Sequence, residues 1–271
     1  MRQFNSNLNI IINELKFINF NDYLNQTTME KFFANNLSKI VEICSFLNSL
    51  RFTKVLTLDQ IDKCVSSHLH PSFASLYQPC RTTGDGNCMW HMISLTLCGN
   101  EELTMNLRWL TVITLLLLTK DFMDLLIKRY RNLDSLYPEN EAKVKVERIL
   151  RAAMDNHEFG DEYHLLAVST FLSRDIFIYS YFTKDDCLLL PRHLSSSQLL
   201  HEFKKKSNKI GHHLKYEPIQ NKYFMKTQEQ SLNGFFSATG VHYTALIPIN
   251  AFTLPFVPKT NLFLDHDDYS R

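Results

Sequence analysis

One cysteine in the chain stands where a reactive thiol could form. Cys88 follows the polar turn 82–87, Thr-Thr-Gly-Asp-Gly-Asn, and begins an apolar segment with roughly helical spacing. The free N–H groups and the positive dipole end of a helix that starts at Cys88 should face the sulfur and lower the pKa of the thiol. Such a thiolate is a nucleophile. The alternative is a small buried side chain without chemistry, which is the common role of a free cysteine.

The turn before Cys88 offers a second requirement of acyl transfer, a set of backbone N–H donors for an oxyanion. Gly84 and Gly86 can take positive φ, which lets the backbone curl close to a ligand. Asp85 and Asn87 favour turns and can hydrogen-bond to neighbouring amides. We therefore expect residues 84–87 to form an oxyanion loop.

A histidine near the C-terminus is a candidate base. His242 lies at the beginning of the segment 240–248, whose β-branched and aromatic residues and final proline predict a short strand. It follows Cys88 by 154 positions (242 minus 88). A base and its nucleophile need to meet only in the fold, so this separation fits a thiol hydrolase.

These motifs together resemble the ovarian tumour (OTU) family of cysteine proteases over roughly residues 79–250. The residues that carry the resemblance are Asp85-Gly86-Asn87-Cys88, the aromatic Trp90, Gly160-Asp161-Glu162 before an apolar helix, and His242-Tyr243 on a strand. The resemblance implies a papain-like α/β (α+β) domain, in which a small central sheet is flanked by helices. It also implies a cysteine-type peptidase that acts on ubiquitin conjugates.

Roles for individual residues follow from the resemblance. Cys88 would attack the isopeptide carbonyl, His242 would act as base and then as acid, and Gly84, Gly86 and Asn87 would line the oxyanion hole. Asp85 would support this loop or complete the catalytic group.

The chain departs from the family pattern two positions after the histidine. Many OTU proteases have an acidic or amide residue there, on the same face of the strand, where it orients the imidazole. This chain has Thr244. Its hydroxyl can accept a hydrogen bond from a ring nitrogen, but it brings no charge to an imidazolium. We therefore predict that Thr244 or Asp85 assists His242.

The composition is that of an ordinary globular protein, with 45% hydrophobic residues and a net charge of +1. This balance provides no overall basic field for nucleic acid, and three lysines at 204–206 are too few to bind it alone. The six cysteines include no C-x-x-C pair, which favours reduced intracellular thiols, in the cytoplasm or the nucleus. We expect a monomer with no cofactor, no metal site and no membrane span.

Three segments are predicted along the chain: a helical N-terminal extension at 1–78, the protease-like domain at 79–250 and an irregular tail at 251–271. Two amphipathic helices are expected within the first 50 residues, and a third near 57–69. The extension could pack on the core or form a separate substrate-binding arm. Residues 231–240 are expected to be a mobile approach to His242.

The sequence therefore predicts a thiol-dependent deubiquitinase acting on ubiquitin or a ubiquitin-like modifier. One alternative is a catalytically weak or inactive OTU-like module that binds ubiquitin or another protein, and Thr244 is the residue that motivates it. Another is a thiol hydrolase with a substrate that is not a protein.

Overall fold

The structure, a computed structural model, describes a large part of the chain. The described residues are 2–50, 52, 58–67, 69, 74–119, 122–124, 126–127, 139–172, 174, 176–179, 232–237 and 242–249. The predicted tail 251–271 and the lysines at 204–206 lie outside them.

The helices surround one apolar core. They are α1 (Arg2–Lys16), α2 (Gln26–Ser49), a short α3 (Lys63–Ser66), α4 (Cys88–Cys98), α5 (Thr104–Leu117), α6 (Glu139–Met154) and α7 (Glu162–Leu172). Helix α5 packs against α4, α6 and α7. Because apolar residues recur on α5 at spacings of three and four, the helix can bury side chains against several neighbours at once.

Four strands form one sheet within the described residues: β1 (Tyr77–Cys80), β2 (Ile176–Tyr179), β3 (Leu232–Ser237) and β4 (His242–Pro248). Their order is β1-β4-β3-β2, with β4 antiparallel to both of its neighbours and β3 parallel to β2. Helix α4 packs on β3 and β4. The α+β class that the sequence predicts, a small sheet flanked by helices, is confirmed.

The N-terminal helices share the core with the rest of the fold. Helix α1 packs against α2, and α2 contacts both α5 and α7. The side chain of Asn25 caps α2 by accepting a hydrogen bond from the N–H of Thr28 (3.1 Å). Two helices are therefore present in the first 50 residues, as predicted. The division of the chain at residues 78 and 250 stays a prediction.

The sheet differs from the sequence prediction in β3. Residues 232–237 form a strand between β2 and β4 instead of a mobile approach to His242. Gly234 makes this strand's close contact with α4 possible, because an added Cβ would collide with the sulfur of Met92. Strand β1, which contains Pro79, is a further element that the pattern of the sequence does not indicate.

The helix expected near 57–69 is reduced to a 3-10 turn (Leu58–Gln60) and α3. Hydrogen bonds to β1 explain the interruption: the N–H of Asp62 donates to the carbonyl of Pro79 (2.9 Å), and the N–H of Arg81 donates to that of Gln60 (2.8 Å). In the part of the chain that the structure describes, no helix has both the length and the apolar character that crossing a bilayer needs.

Candidate active site

The loop that leads into α4 owes its path to one glycine. Gly86 has φ +87°, and an added Cβ there would collide with the backbone of His157. Gly84 needs no positive φ, and an added Cβ would lie 3.9 Å from Cε1 of His242, an ordinary contact. Of the two glycines expected to use positive φ, only Gly86 therefore does so.

The sulfur of Cys88 lies at the first turn of α4, as predicted, but in a closed environment. Cys88 is only 2% exposed. Burial raises the pKa of its thiol, and the nearby carboxylate of Asp85 adds to the rise. Hydrogen bonds from the backbone N–H groups of Tyr243, Met89 and Cys88 itself act in the opposite direction but do not outweigh the burial. The expected lowering of this pKa is therefore wrong: the resting group is a neutral thiol.

The fold brings His242 to the cysteine loop. His242 is the first residue of β4 and is partly buried. Its Nε2 lies 3.0 Å from Oγ1 of Thr82, and its Cε1 faces Gly84. The next residue, Tyr243, contributes the N–H that faces the Cys88 sulfur. The predicted nucleophile therefore lies beside the residue that follows the predicted base.

Thr244 is buried and has a partner other than the histidine. It is 0% exposed, and its hydroxyl donates a 3.4 Å hydrogen bond to Oδ2 of Asp62. The other carboxylate oxygen of Asp62 caps α3 through the N–H of Val65 (3.1 Å). Thr244 therefore joins β4 to the segment before β1, and its assistance to His242 stays a prediction.

The carboxylate of Asp85 holds the cysteine loop together. It accepts hydrogen bonds from the backbone N–H of Asn87 (2.9 Å) and from Nδ2 of Asn87 (3.0 Å), and one of its oxygens lies 3.0 Å from Nε2 of His91. Burial alone would raise the pKa of Asp85, but these Asn87 bonds and the attraction of His91 lower it to about 2. Asp85 is thus an ionised support of the loop, and its contacts lie on the side of Asn87 and His91.

The opposite end of the loop is held by Glu101, a residue that the sequence does not single out. Glu101 accepts hydrogen bonds from the N–H of Thr83 (2.9 Å) and from its hydroxyl (2.6 Å). It also lies 3.2 Å from Nδ1 of His91, which contacts Thr104 at 2.8 Å. A chain of polar groups therefore runs beneath the loop from Thr83 to Asp85.

Arg108 is the second important residue that the sequence does not indicate. Only 1% exposed, it lies on α5 with its guanidinium 3.9 Å from the ring centre of Trp90. It donates to Oδ1 of Asn87 (2.8 Å) and to the carbonyls of Ala152 (2.6 Å), Glu158 (3.0 Å) and Asp155. Burial lowers its pKa to about 10, so it remains charged at neutral pH. A single arginine in an apolar helix gives no sequence signal for this arrangement.

The contacts of Asn87 restrict which donors an oxyanion could use. The N–H of Asn87 is already bonded to Asp85, and its side chain is bonded to Asp85 and Arg108. The N–H groups of Cys88 and Met89 face the sulfur. The first turn of α4 is therefore better placed than Asn87 to donate to an oxyanion beside the thiol.

The described ranges contain no candidate metal-binding site. There, no group of three or more histidine, cysteine, aspartate or glutamate residues could hold an ion.

Several solved structures are distantly similar to this chain, and three of them are viral OTU domains. The viral OTU domain protease from Farallon virus is 15% identical, with 65% of this chain and 86% of that chain covered and a TM-score of 0.40. The protease from Qalyub virus is 12% identical (65% and 87% covered, TM-score 0.35), and the Hazara virus OTU bound to ubiquitin is 14% identical (65% and 84% covered, TM-score 0.33). No curated protein matches the chain.

A family model, described as the OTU domain of vertnin, matches residues 79–184. This segment contains the cysteine loop, α4 to α7 and β2, and it ends before His242. Residues 79–184 are thus similar to an OTU domain.

Proposed function

We propose that this chain is a thiol-dependent deubiquitinase, which hydrolyses isopeptide or peptide bonds at the C-terminus of ubiquitin or a ubiquitin-like modifier. The observation that carries the proposal is the approach of Cys88 to the strand that begins with His242, although the two residues are 154 positions apart (242 minus 88). The Cys88 sulfur lies at the N–H of Tyr243, directly after His242. The OTU-family match of residues 79–184 supports the substrate class.

The chemistry requires His242 to act twice. The Cys88 thiol gives its proton to the imidazole while the sulfur bonds to the carbonyl carbon of the scissile amide. The imidazolium gives that proton to the leaving amine as the C–N bond breaks, and a thioester remains. Water then adds to the thioester while His242 takes a proton from it. The proton returns to the sulfur as the C–S bond breaks, releasing a carboxylic acid that ionises at neutral pH.

A raised thiol pKa makes base assistance essential. Because burial keeps Cys88 protonated at rest, the proton has to leave for His242 as the sulfur attacks. Substrate binding also has to open access to the sulfur, because Cys88 is only 2% exposed.

A second candidate function is a module that binds ubiquitin or another protein without turnover. The closed environment of Cys88 favours it. A thiol that is both buried and protonated would be unreactive if substrate binding left the loop unchanged.

The deciding experiment uses ubiquitin with a C-terminal electrophile, incubated with the full chain and read by intact mass. A Cys88→Ala variant should lose the adduct, and a Cys64→Ala variant should keep it, because Cys64 is an exposed cysteine on α3. A panel of ubiquitin-like modifiers with the same electrophile tests the choice of modifier.

An adduct on the wild type and on Cys64→Ala, but not on Cys88→Ala, would support the enzyme. Ubiquitin binding in titration calorimetry without any adduct would instead support the binding module. If no modifier of the panel forms an adduct and none binds in calorimetry, the ubiquitin proposal is refuted.

A further inference from the structure

Thr82 lies between the predicted base and the strand that carries it. Its hydroxyl oxygen is 3.0 Å from Nε2 of His242 and within hydrogen-bond distance of the carbonyl oxygen of Tyr243. Thr82 is only 9% exposed, so water competes little for these bonds. Thr82 is the first residue of the polar turn before Cys88, but the sequence assigns it no role in the site.

Counting protons determines the direction of both bonds. A carbonyl oxygen can only accept, so the single hydroxyl proton of Thr82 goes to the Tyr243 carbonyl. The hydroxyl oxygen must then accept the second bond, and Nε2 of His242 must be the donor. The neutral ring therefore carries its proton on Nε2, and Nδ1 is left as the ring nitrogen able to accept a proton.

The backbone around Thr82 fixes its distance to the histidine. Strand β1 pairs with β4 up to Cys80 and Ala245, and Thr82 follows two residues after that pair. The loop on its other side is held by the bonds of Thr83 to Glu101. Thr82 is thus attached at both ends to elements that also position the site.

Resting on the proposed deubiquitinase function, we propose that Thr82 is the positioning residue that orients His242 and sets its tautomer. It takes the part that an acid two positions after the histidine would otherwise play. Thr244 occupies that position but donates to Asp62, and the carboxylate of Asp85 is bonded to Asn87. Thr82 supplies a neutral acceptor, so it directs the ring without adding charge to the imidazolium.

The first test measures the tautomer itself and needs no substrate. The ring nitrogens of histidine are labelled with nitrogen-15, and His242 is assigned by its absence from a His242→Gln variant. At pH 8, where an ordinary histidine is neutral, the shifts of the two nitrogens report which one carries the proton. We expect Nε2–H in the wild type and in Thr82→Ser, and a mixture of tautomers in Thr82→Val.

The second test measures turnover of a fluorogenic ubiquitin conjugate. Thr82→Val should lower kcat by about 10- to 100-fold with KM nearly unchanged, because only the proton-transfer group is misplaced. Thr82→Ser should restore most of kcat. Thr170→Val is the matched control: Thr170 is buried, its hydroxyl donates to the carbonyl of Leu166 (2.8 Å), and it belongs to α7. Its loss should leave kcat unchanged.

The two tests separate failure of this proposal from failure of the proposed function. An Nδ1–H tautomer in the wild type, or an Nε2–H tautomer that persists in Thr82→Val, would overturn the role of Thr82 whatever the activity. A wild type without turnover, but with the tautomer shift in Thr82→Val, would refute the deubiquitinase and retain the orienting contact. An equal loss of kcat in Thr82→Val and Thr170→Val would also overturn the proposal, because it would show that removing any buried hydroxyl lowers kcat by destabilising the protein.

Discussion

Replacing Arg108 by lysine should lower the free energy of unfolding by about 2–3 kcal/mol, since lysine keeps the charge but loses the planar fork. The two terminal nitrogens of Arg108 reach four acceptors: Oδ1 of Asn87 and the carbonyls of Ala152, Asp155 and Glu158. A lysine ammonium has three donors on one atom and cannot span them.

The magnitude follows from what is left without a partner. Asn87 is buried, and an unsatisfied buried acceptor costs about 1–3 kcal/mol. The carbonyls of Asp155 and Glu158 belong to exposed residues, so water can replace part of their hydrogen bonds to Arg108. Loss of the stacking on Trp90 adds about 0.5–1 kcal/mol. With an m-value of about 3 kcal/mol per molar, the urea midpoint should fall by about 0.7–1 M.

Urea unfolding followed by far-UV circular dichroism measures this change. Arg148→Lys is the matched control, because Arg148 is exposed on α6 and should change stability by less than about 0.5 kcal/mol. A loss of less than about 1 kcal/mol in Arg108→Lys would refute the reasoning, since it would mean that water or lysine satisfies all four acceptors.

Three further predictions concern the cysteine loop. Gly86→Ala should destabilise the protein by at least about 2 kcal/mol, because Gly86 has a positive φ and an added Cβ would collide with the backbone. Gly84→Ala should leave the thermal unfolding temperature nearly unchanged. Equal shifts of that temperature in the two variants would contradict the geometry. Alkylation of Cys88, followed by peptide mass, should reach half its maximal rate above the ordinary cysteine pKa of about 8.5, and a midpoint below that value would refute the raised thiol pKa. The folded pKa of Asp85, about 2, lies below its unfolded value, so its stabilisation is present above pH ~4 and lost toward pH 2. Urea titrations should therefore show that the free energy of unfolding falls by about 1–2 kcal/mol more over that range in the wild type than in Asp85→Asn. This figure is reduced for solvent screening, because the Asp85 side chain is 32% exposed. The same pH dependence of stability in both proteins would contradict the prediction.

Much of the fold could be predicted because its signals are local. Periodic apolar residues predict α1, α2 and α5. An aspartate before an apolar helix is likewise a local signal: the Asp161 side chain caps α7 by accepting from the N–H groups of Tyr163 (2.9 Å) and His164 (3.2 Å). Strands β1 and β3 carry no such signal. Each depends on partners far away in the chain, so their backbone hydrogen bonds exist only once the sheet has formed.

The sequence by itself determined the types of the chemical groups and their neighbours along the chain: a cysteine after a glycine turn at a helix start, and a histidine at the start of a strand. The tertiary structure decided how those groups behave. Burial raised the pKa of Cys88, whereas the start of the helix alone predicts a lower value. The fold also paired Thr244 with Asp62. It also brought the Thr82 hydroxyl to His242. The physical reason is that desolvation and hydrogen bonding depend on what surrounds a group in space, and a local pattern carries no information on residues that lie far away in the sequence.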